Sequence, residues 1–325
     1  MLRDDAEGSD PSGEHRTIAT EESPNIVVVM NESFSDLTTY LEGCETSTDP
    51  MPYVRSLMNR GDVVSGTCAV SSDMGTGTAN SEFEFLTGNS MAYFKGNTPY
   101  VQFIDAETPS LASLLAGRGY STMAMHAYER AGYNRVKVYD RLGFETHKGI
   151  EDFDVDLDYA RGYPTEEANY RQLISYFETV DEPTAVLFFG DHEPRLSSEF
   201  YSSWFTDEND LGLETTAQLH KTPPFFIWGN YNLNTESIQK GSVVSLNYLS
   251  TVLFQTAGVQ LSPYQEYLAD LRMEHPVITA RYFTTAFGDK VGTVPSAFTD
   301  SIREYQWLQY NCVFDRAHRI PGFYS

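Results

Sequence analysis

Asn25-Ile26-Val27-Val28-Val29-Met30-Asn31-Glu32-Ser33-Phe34 is the stretch from which the fold can be read. Its continuous apolar, β-branched run predicts a buried strand, parallel and central in its sheet. A second run, Thr184 to Phe189, is wholly apolar and leads into Gly190-Asp191-His192. A third, Tyr120 to Met125, leads into His126. Val63–Val70 and Pro223–Trp228 read as further strands. Helical periodicity falls between them, at Pro52–Asn59, Ser110–Arg118, Glu166–Val180 and an amphipathic Ser245–Ala257. Strand alternating with helix predicts a three-layer α/β/α sandwich around a central, mostly parallel sheet. Ligands bind at the carboxyl ends of strands in such sheets. Glu32, His126, Asp191 and His192 are therefore expected on one rim.

Met74 to Gly88, MGTGTANSEFEFLTG, has the composition of a tight turn feeding a helix. Gly75 and Gly77 permit backbone angles that other residues resist, and the helix is expected from about Asn80 to Gly88. A hydroxyl at a helix start lies among unpaired N–H groups and the positive end of the helix dipole. That place suits a phosphate, or an alkoxide attacking one. Taken alone, Thr78 reads equally as a helix cap, and Glu32 as a turn residue.

The chain has 325 residues, 41% of them hydrophobic and 14% aromatic, enough for a large core. Its net charge of −24 and lack of a Lys/Arg-rich run argue against nucleic acid as a partner. An anionic substrate would need a local device to hold it: a metal, an arginine or a helix N-terminus. Residues 1–23 are polar and acidic and read as a disordered tail or linker remnant. Residues 24–325 read as the folded domain, with a mixed, aromatic-rich subregion from about 262 in which Tyr305–Phe314 packs on the body as helix or strand. Cys44, Cys68 and Cys312 form no C-x-x-C pair, and a Cys44–Cys68 disulfide is left open by the sequence. No apolar run is long enough to span a membrane.

Asp191 and His192 offer adjacent oxygen and nitrogen ligands; Glu32 and the Thr78 hydroxyl add oxygens. Such a set suits Mn²⁺ or Mg²⁺, with Zn²⁺ also compatible, and does not suit copper or an iron–sulfur cluster. A divalent ion beside a threonine hydroxyl favours its alkoxide.

Four stretches together, NIVVVMNESF (Asn25–Phe34), GTANSEFEFLTG (Gly77–Gly88), HAYERAGYNRVKVY (His126–Tyr139) and FFGDHEP (Phe188–Pro194), resemble the motifs of lipoteichoic acid synthase-like enzymes of the alkaline phosphatase/sulfatase superfamily. The resemblance implies that Thr78 is the nucleophile and that Glu32, Thr78, Asp191 and His192 hold one Mn²⁺. It implies that His126, Tyr133 and Arg135 bind substrate, Tyr133 standing where the family often has Trp. The implied reaction is phosphoglycerol transfer from a phosphatidylglycerol-type lipid to a glycerophosphate or glycan acceptor through a covalent threonine intermediate. The implied location is the extracytoplasmic face of the cell membrane, with anchoring parts outside this sequence. A sulfatase activity is disfavoured, because no C/S-x-P-x-R motif is present.

One family segment, a strand ending in Asn-His-x-Pro, has no counterpart between about 160 and 170, and neither His147 nor His220 stands in a context to replace it. Two rivals follow: a phosphodiesterase or phosphatase on the same scaffold, and a non-catalytic envelope protein that binds glycerophosphate.

Overall fold

A computed structural model describes residues 23–36, 38, 47–72, 77–152, 159–160, 163–164, 180–195, 197, 199 and 222–325. Residues 1–22 of the acidic tail, 166–179 of the helix expected at 166–180, Cys44 and His220 lie outside them.

The principal sheet has five strands in the order β1 (Asn25–Asn31), β7 (Thr184–Gly190), β8 (Pro224–Gly229), β2 (Val64–Ala69), β9 (Val243–Ser245). β1 pairs with β7 in parallel, and β2 with β9 in parallel. β8 runs antiparallel to both its neighbours. Four strands thus point one way, and the sheet is mixed around its parallel members. The apolar run of β8 fits either direction, which is why its reversal could not be read. β1 is parallel as expected but forms an edge among the described residues, and is only half-buried along most of its length.

Side-chain alternation builds the layers. On β7 and β8, Leu187, Phe189, Phe225 and Ile227 face a core shared with Leu111, Leu114 and Leu115 of α4 (Leu111–Gly117) and with α6 (Leu246–Ala257). Phe188 and Phe226 face the other way, stacked with centroids 5.1 Å apart, against Val54, Leu57 and Met58 of α1 (Pro52–Met58). With both faces covered, the domain is an α/β/α sandwich.

α6 was expected to be amphipathic, but it is buried on nearly all sides. Its Asn247 is satisfied inside: it donates to the Tyr305 hydroxyl at 3.0 Å and accepts from Ser245. A third core joins α2 (Thr78–Thr87) to the C-terminal elements α7 (Pro263–Glu274), β10 (Tyr282–Thr284) and α8 (Asp300–Val313). Tyr305 on α8 donates to the carbonyl of Gly88, and Gln309 accepts from the Ser90 N–H at 2.8 Å. The aromatic C-terminal stretch is therefore a helix closing the far end of α2.

The strand before His126 departs from expectation. β3 (Met123–Met125) is not in the principal sheet; it pairs in parallel with β4 (Thr146–Lys148) in a separate ribbon. An apolar run specifies a strand, not the sheet it joins. His126 therefore reaches the site from beside the sheet, not from its rim. Near the expected gap, β5 (Tyr159–Ala160) and β6 (Tyr163–Pro164) form a short antiparallel pair.

Candidate active site

The site grows from the matched ends of β1 and β7. Their register pairs Asn31 with Gly190, which places Glu32 and Asp191 side by side. Gly190 is required by this approach: a Cβ there would lie 2.1 Å from the Phe34 carbonyl oxygen. The Ser33 N–H donates to Asp191 Oδ1 at 2.8 Å, tying the two strand ends together. Ser33 itself takes φ 54°, a conformation uncommon outside glycine.

β2 points the same way, and the chain returns from its end to α2. The helix starts at Thr78 itself, two residues before the sequence reading, with Gly77 as N-cap at φ 96°. A Cβ at Gly77 would meet Ser72 at 2.9 Å, so both space and backbone angle call for glycine. Thr78 is thus the first helical residue and not the cap. Helix geometry leaves the N–H groups of Thr78 and Ala79 without intrahelical acceptors. The Ser81 hydroxyl donates to the Asp191 carbonyl at 2.8 Å, locking α2 onto the end of β7.

Four of the seven expected residues converge here. The Thr78 hydroxyl donates to Glu32 Oε2 at 3.1 Å and lies 3.3 Å from His192 Nε2. His192 Nε2 lies 3.3 Å from Glu32 Oε1 and 3.1 Å from Asp191 Oδ2. Asp191 and His192 are fully buried, whereas the Glu32 side chain is 65% exposed. His192 Nδ1 lies 3.1 Å from the Glu193 carbonyl, which can only accept, so Nδ1 carries a proton and Nε2 faces the cluster.

This arrangement has too much negative charge for a buried site. Asp191 Oδ2 has no hydrogen bond among the described residues. Burial pushes the Asp191 carboxyl up to about 6, with Glu32 adding to the rise. The hydrogen bond from His192 holds Glu32 below the usual carboxylate range. Burial works against charge on His192, yet the two carboxylates outweigh it and raise its pKa. One donor atom each from Glu32, Asp191 and His192 lies within 4.8 Å of the others. Two carboxylates, an imidazole nitrogen and a hydroxyl around one orphaned oxygen fit a divalent cation.

The other three expected residues form a neighbouring group. Arg135 opens α5 (Arg135–Arg141) and is 1% exposed. Its guanidinium forms an ion pair with Glu82 of α2, Nε donating to Oε1 at 3.1 Å. Tyr139 donates to Glu82 Oε2 at 2.9 Å and accepts from Arg135 Nε at 3.1 Å. Burial opposes the Arg135 charge, but Glu82 more than offsets it and raises the pKa. Tyr133, at φ 53° and 46% exposed, lays its ring 5.3 Å from the guanidinium. Arg135 is thus enclosed, not open to solvent. His126 Nδ1 is buried without a hydrogen bond among the described residues. Burial and then Arg135 depress its pKa, while Glu82 and Glu32 oppose.

Glu82 and Tyr139 were missed in the sequence. Glu82 is four residues beyond Thr78 and so shares its helix face, a signal that spacing alone could have supplied. His147 lies with its ring edge-on to Tyr139, the centroids 4.7 Å apart.

The Sulfatase family model matches residues 24–170. A protein of Rhizobium meliloti (strain 1021), assigned provisionally to cyclic beta-1,2-glucan modification, is 26% identical over 377 residues, covering 93% of this chain. The chain spans 56% of that relative's length. Streptococcus pyogenes phosphoglycerol transferase GacH, solved with sn-glycerol-1-phosphate, superposes with TM-score 0.69 at 16% identity, over 90% of this chain and 86% of the other. Lipoteichoic acid synthase LtaP from Listeria monocytogenes superposes with TM-score 0.57 at 15% identity, over 90% and 93%. Residues 24–170 are thus similar to the Sulfatase family, and the layered sheet has the alkaline phosphatase/sulfatase fold that these structural neighbours share.

Proposed function

We propose that this protein transfers phosphoglycerol from a phosphatidylglycerol-type lipid to an envelope glycan or polymer, with Thr78 as nucleophile. The observation that carries the reading is the Thr78 hydroxyl at the first position of α2, 3.1 Å from Glu32 and 3.3 Å from His192. Glu32, Thr78, Asp191 and His192 would hold a divalent cation, Mn²⁺ first, with Mg²⁺ or Zn²⁺ compatible. When bound, such an ion supplies Lewis acidity and charge neutralisation.

The chain's own part is positioning and proton handling. Glu32 Oε2 already accepts the Thr78 hydroxyl hydrogen bond and is the nearest base for its proton. As Thr78 Oγ1 bonds to phosphorus, the bond from phosphorus to the glycerol oxygen of diacylglycerol breaks, and that oxygen leaves with the proton that Glu32 took from Thr78. An acceptor hydroxyl then takes the phosphoglycerol, and its proton replaces the one Thr78 lost. The free N–H groups of the first turn of α2 are placed to meet charge on the phosphoryl oxygens. His126 and Tyr133 would line the substrate side. An extracytoplasmic, membrane-adjacent setting is what the resemblance implies; no helix among the described residues is long and apolar enough to cross a membrane.

The test is diacylglycerol release from phosphatidylglycerol with Mn²⁺. Release should fall about 10³-fold or more in Thr78→Ala. Equal release by that variant would end the assignment of Thr78. A second reading, a binding protein without turnover, is favoured by the missing Asn-His-x-Pro segment. It predicts glycerophosphate binding with no diacylglycerol released by the parent chain.

A further inference from the structure

Arg135 and Glu82 present a question that the proposed reaction leaves open. An arginine beside a phosphoryl site ordinarily contributes a positive charge. Here the charge is already cancelled by a carboxylate on the nucleophile's own helix. Glu82 follows Thr78 by four residues, on the same face of α2 and about 6 Å further along the axis. The pairing is tight and dry: Arg135 is 1% exposed, and Glu82 receives hydrogen bonds from Arg135 Nε, Arg135 Nη2 and the Tyr139 hydroxyl.

We propose that Glu82 is a charge-setting positioning residue: by neutralising Arg135 it fits the site to a singly charged phosphodiester and against a doubly charged phosphomonoester. This rests on the reading of Thr78 and its neighbours as a phosphoryl-transfer site. With a divalent cation held by Glu32 and Asp191, and Arg135 matched by Glu82, the formal charges of these four side chains and the ion would sum to zero. A phosphodiester brings one negative charge. A phosphomonoester brings nearly two above pH 7, and these five charges leave no net positive charge to meet the second. In a buried, weakly screened site that difference carries real selectivity.

The experiment measures binding of glycerol phosphate and of glycerophosphoglycerol to Mn²⁺-loaded protein at pH 8 by calorimetry. Binding is read without turnover, so a slow enzyme does not obscure it. Glu82→Gln exposes the Arg135 charge and should raise affinity for the monoester relative to the diester by about tenfold or more. Arg135→Gln leaves the Glu82 carboxylate unmatched and should move the same ratio the opposite way. Tyr139→Phe loosens the group without altering its charge and should leave the ratio within about twofold. Opposite shifts in the two charge variants, with Tyr139→Phe unmoved, cannot arise from a merely structural role. If one charge variant fails to fold, the sign of the other decides. An unchanged ratio in a folded charge variant overturns the assignment of Glu82 alone. Binding of neither ligand by the parent protein overturns the phosphoryl-transfer reading and this assignment with it.

Discussion

Two clusters of buried charge lie one helical turn apart along α2, and they are settled differently. At the strand ends, Glu32 and Asp191 face one imidazole and one hydroxyl, and Asp191 Oδ2 goes without a hydrogen bond among the described residues. Behind them, Glu82 faces Arg135 and Tyr139 and accepts a hydrogen bond on each carboxylate oxygen. The second cluster is complete as it stands. The first is complete only with a further cation or a proton. An unbalanced charge of this kind is expensive to bury, and it is the physical mark of a place where something binds.

A third carboxylate on the same helix shows another solution. Glu84 is buried with neither an arginine nor a second acid beside it. It accepts from the Ser71 and Ser90 hydroxyls and from the Met91 N–H, all at Oε1. Burial pushes its pKa up to about 7. One helix therefore displays a carboxylate matched by arginine and one matched by a proton, next to a strand-end pair that calls for a cation.

These differences can be broken one at a time. The largest effect on stability is expected at the arginine pair. Arg135→Met strands the buried Glu82 carboxylate and should cost about 3–5 kcal/mol, read as a lowered midpoint in urea unfolding. A loss below about 1 kcal/mol would mean the pair is far better solvated than its burial indicates.

The proton-matched carboxylate comes next. The folded pKa of Glu84, about 7, lies above its ordinary 4.5. The folded state therefore binds more protons than the unfolded state between those values, and stability falls as pH rises through that window. The contribution is fully present below about pH 4.5 and gone above about pH 7, a change of about 3 kcal/mol. Glu84→Gln should flatten this part of the stability–pH profile. A profile unchanged by the substitution would remove Glu84 as its source.

The smallest effect concerns the turn that places Thr78. Gly77→Ala at φ 96°, against Ser72, should cost about 1–3 kcal/mol. It should also weaken cation binding, because the helix start must shift. Unaltered stability and binding would show that the turn is less constrained than its angle implies.

What could be read from the sequence was local. The runs before Glu32 and Asp191 announce buried strands, and Gly77-Thr78 announces a helix start, because the cause lies within a few residues of the effect. The convergence of Glu32, Thr78, Asp191 and His192 followed from placing those elements in one sheet. What escaped reading was tertiary. Nothing local states that β3 leaves the principal sheet for β4, that β8 runs backwards, or that α6 buries its polar side as well. Arg135 was singled out only through resemblance, and its enclosure by Glu82, Tyr139 and Tyr133 depends on residues from two helices and a loop.

The central claim is that the strand-end cluster takes a divalent cation while the arginine cluster needs none. Titration of Mn²⁺ by calorimetry, on the parent chain, Asp191→Ala and Glu82→Gln, tests it most directly. The account predicts one Mn²⁺ per parent chain, binding lost in Asp191→Ala, and binding kept in Glu82→Gln. Absence of Mn²⁺ binding by the parent, or equal affinity in Asp191→Ala, would contradict it.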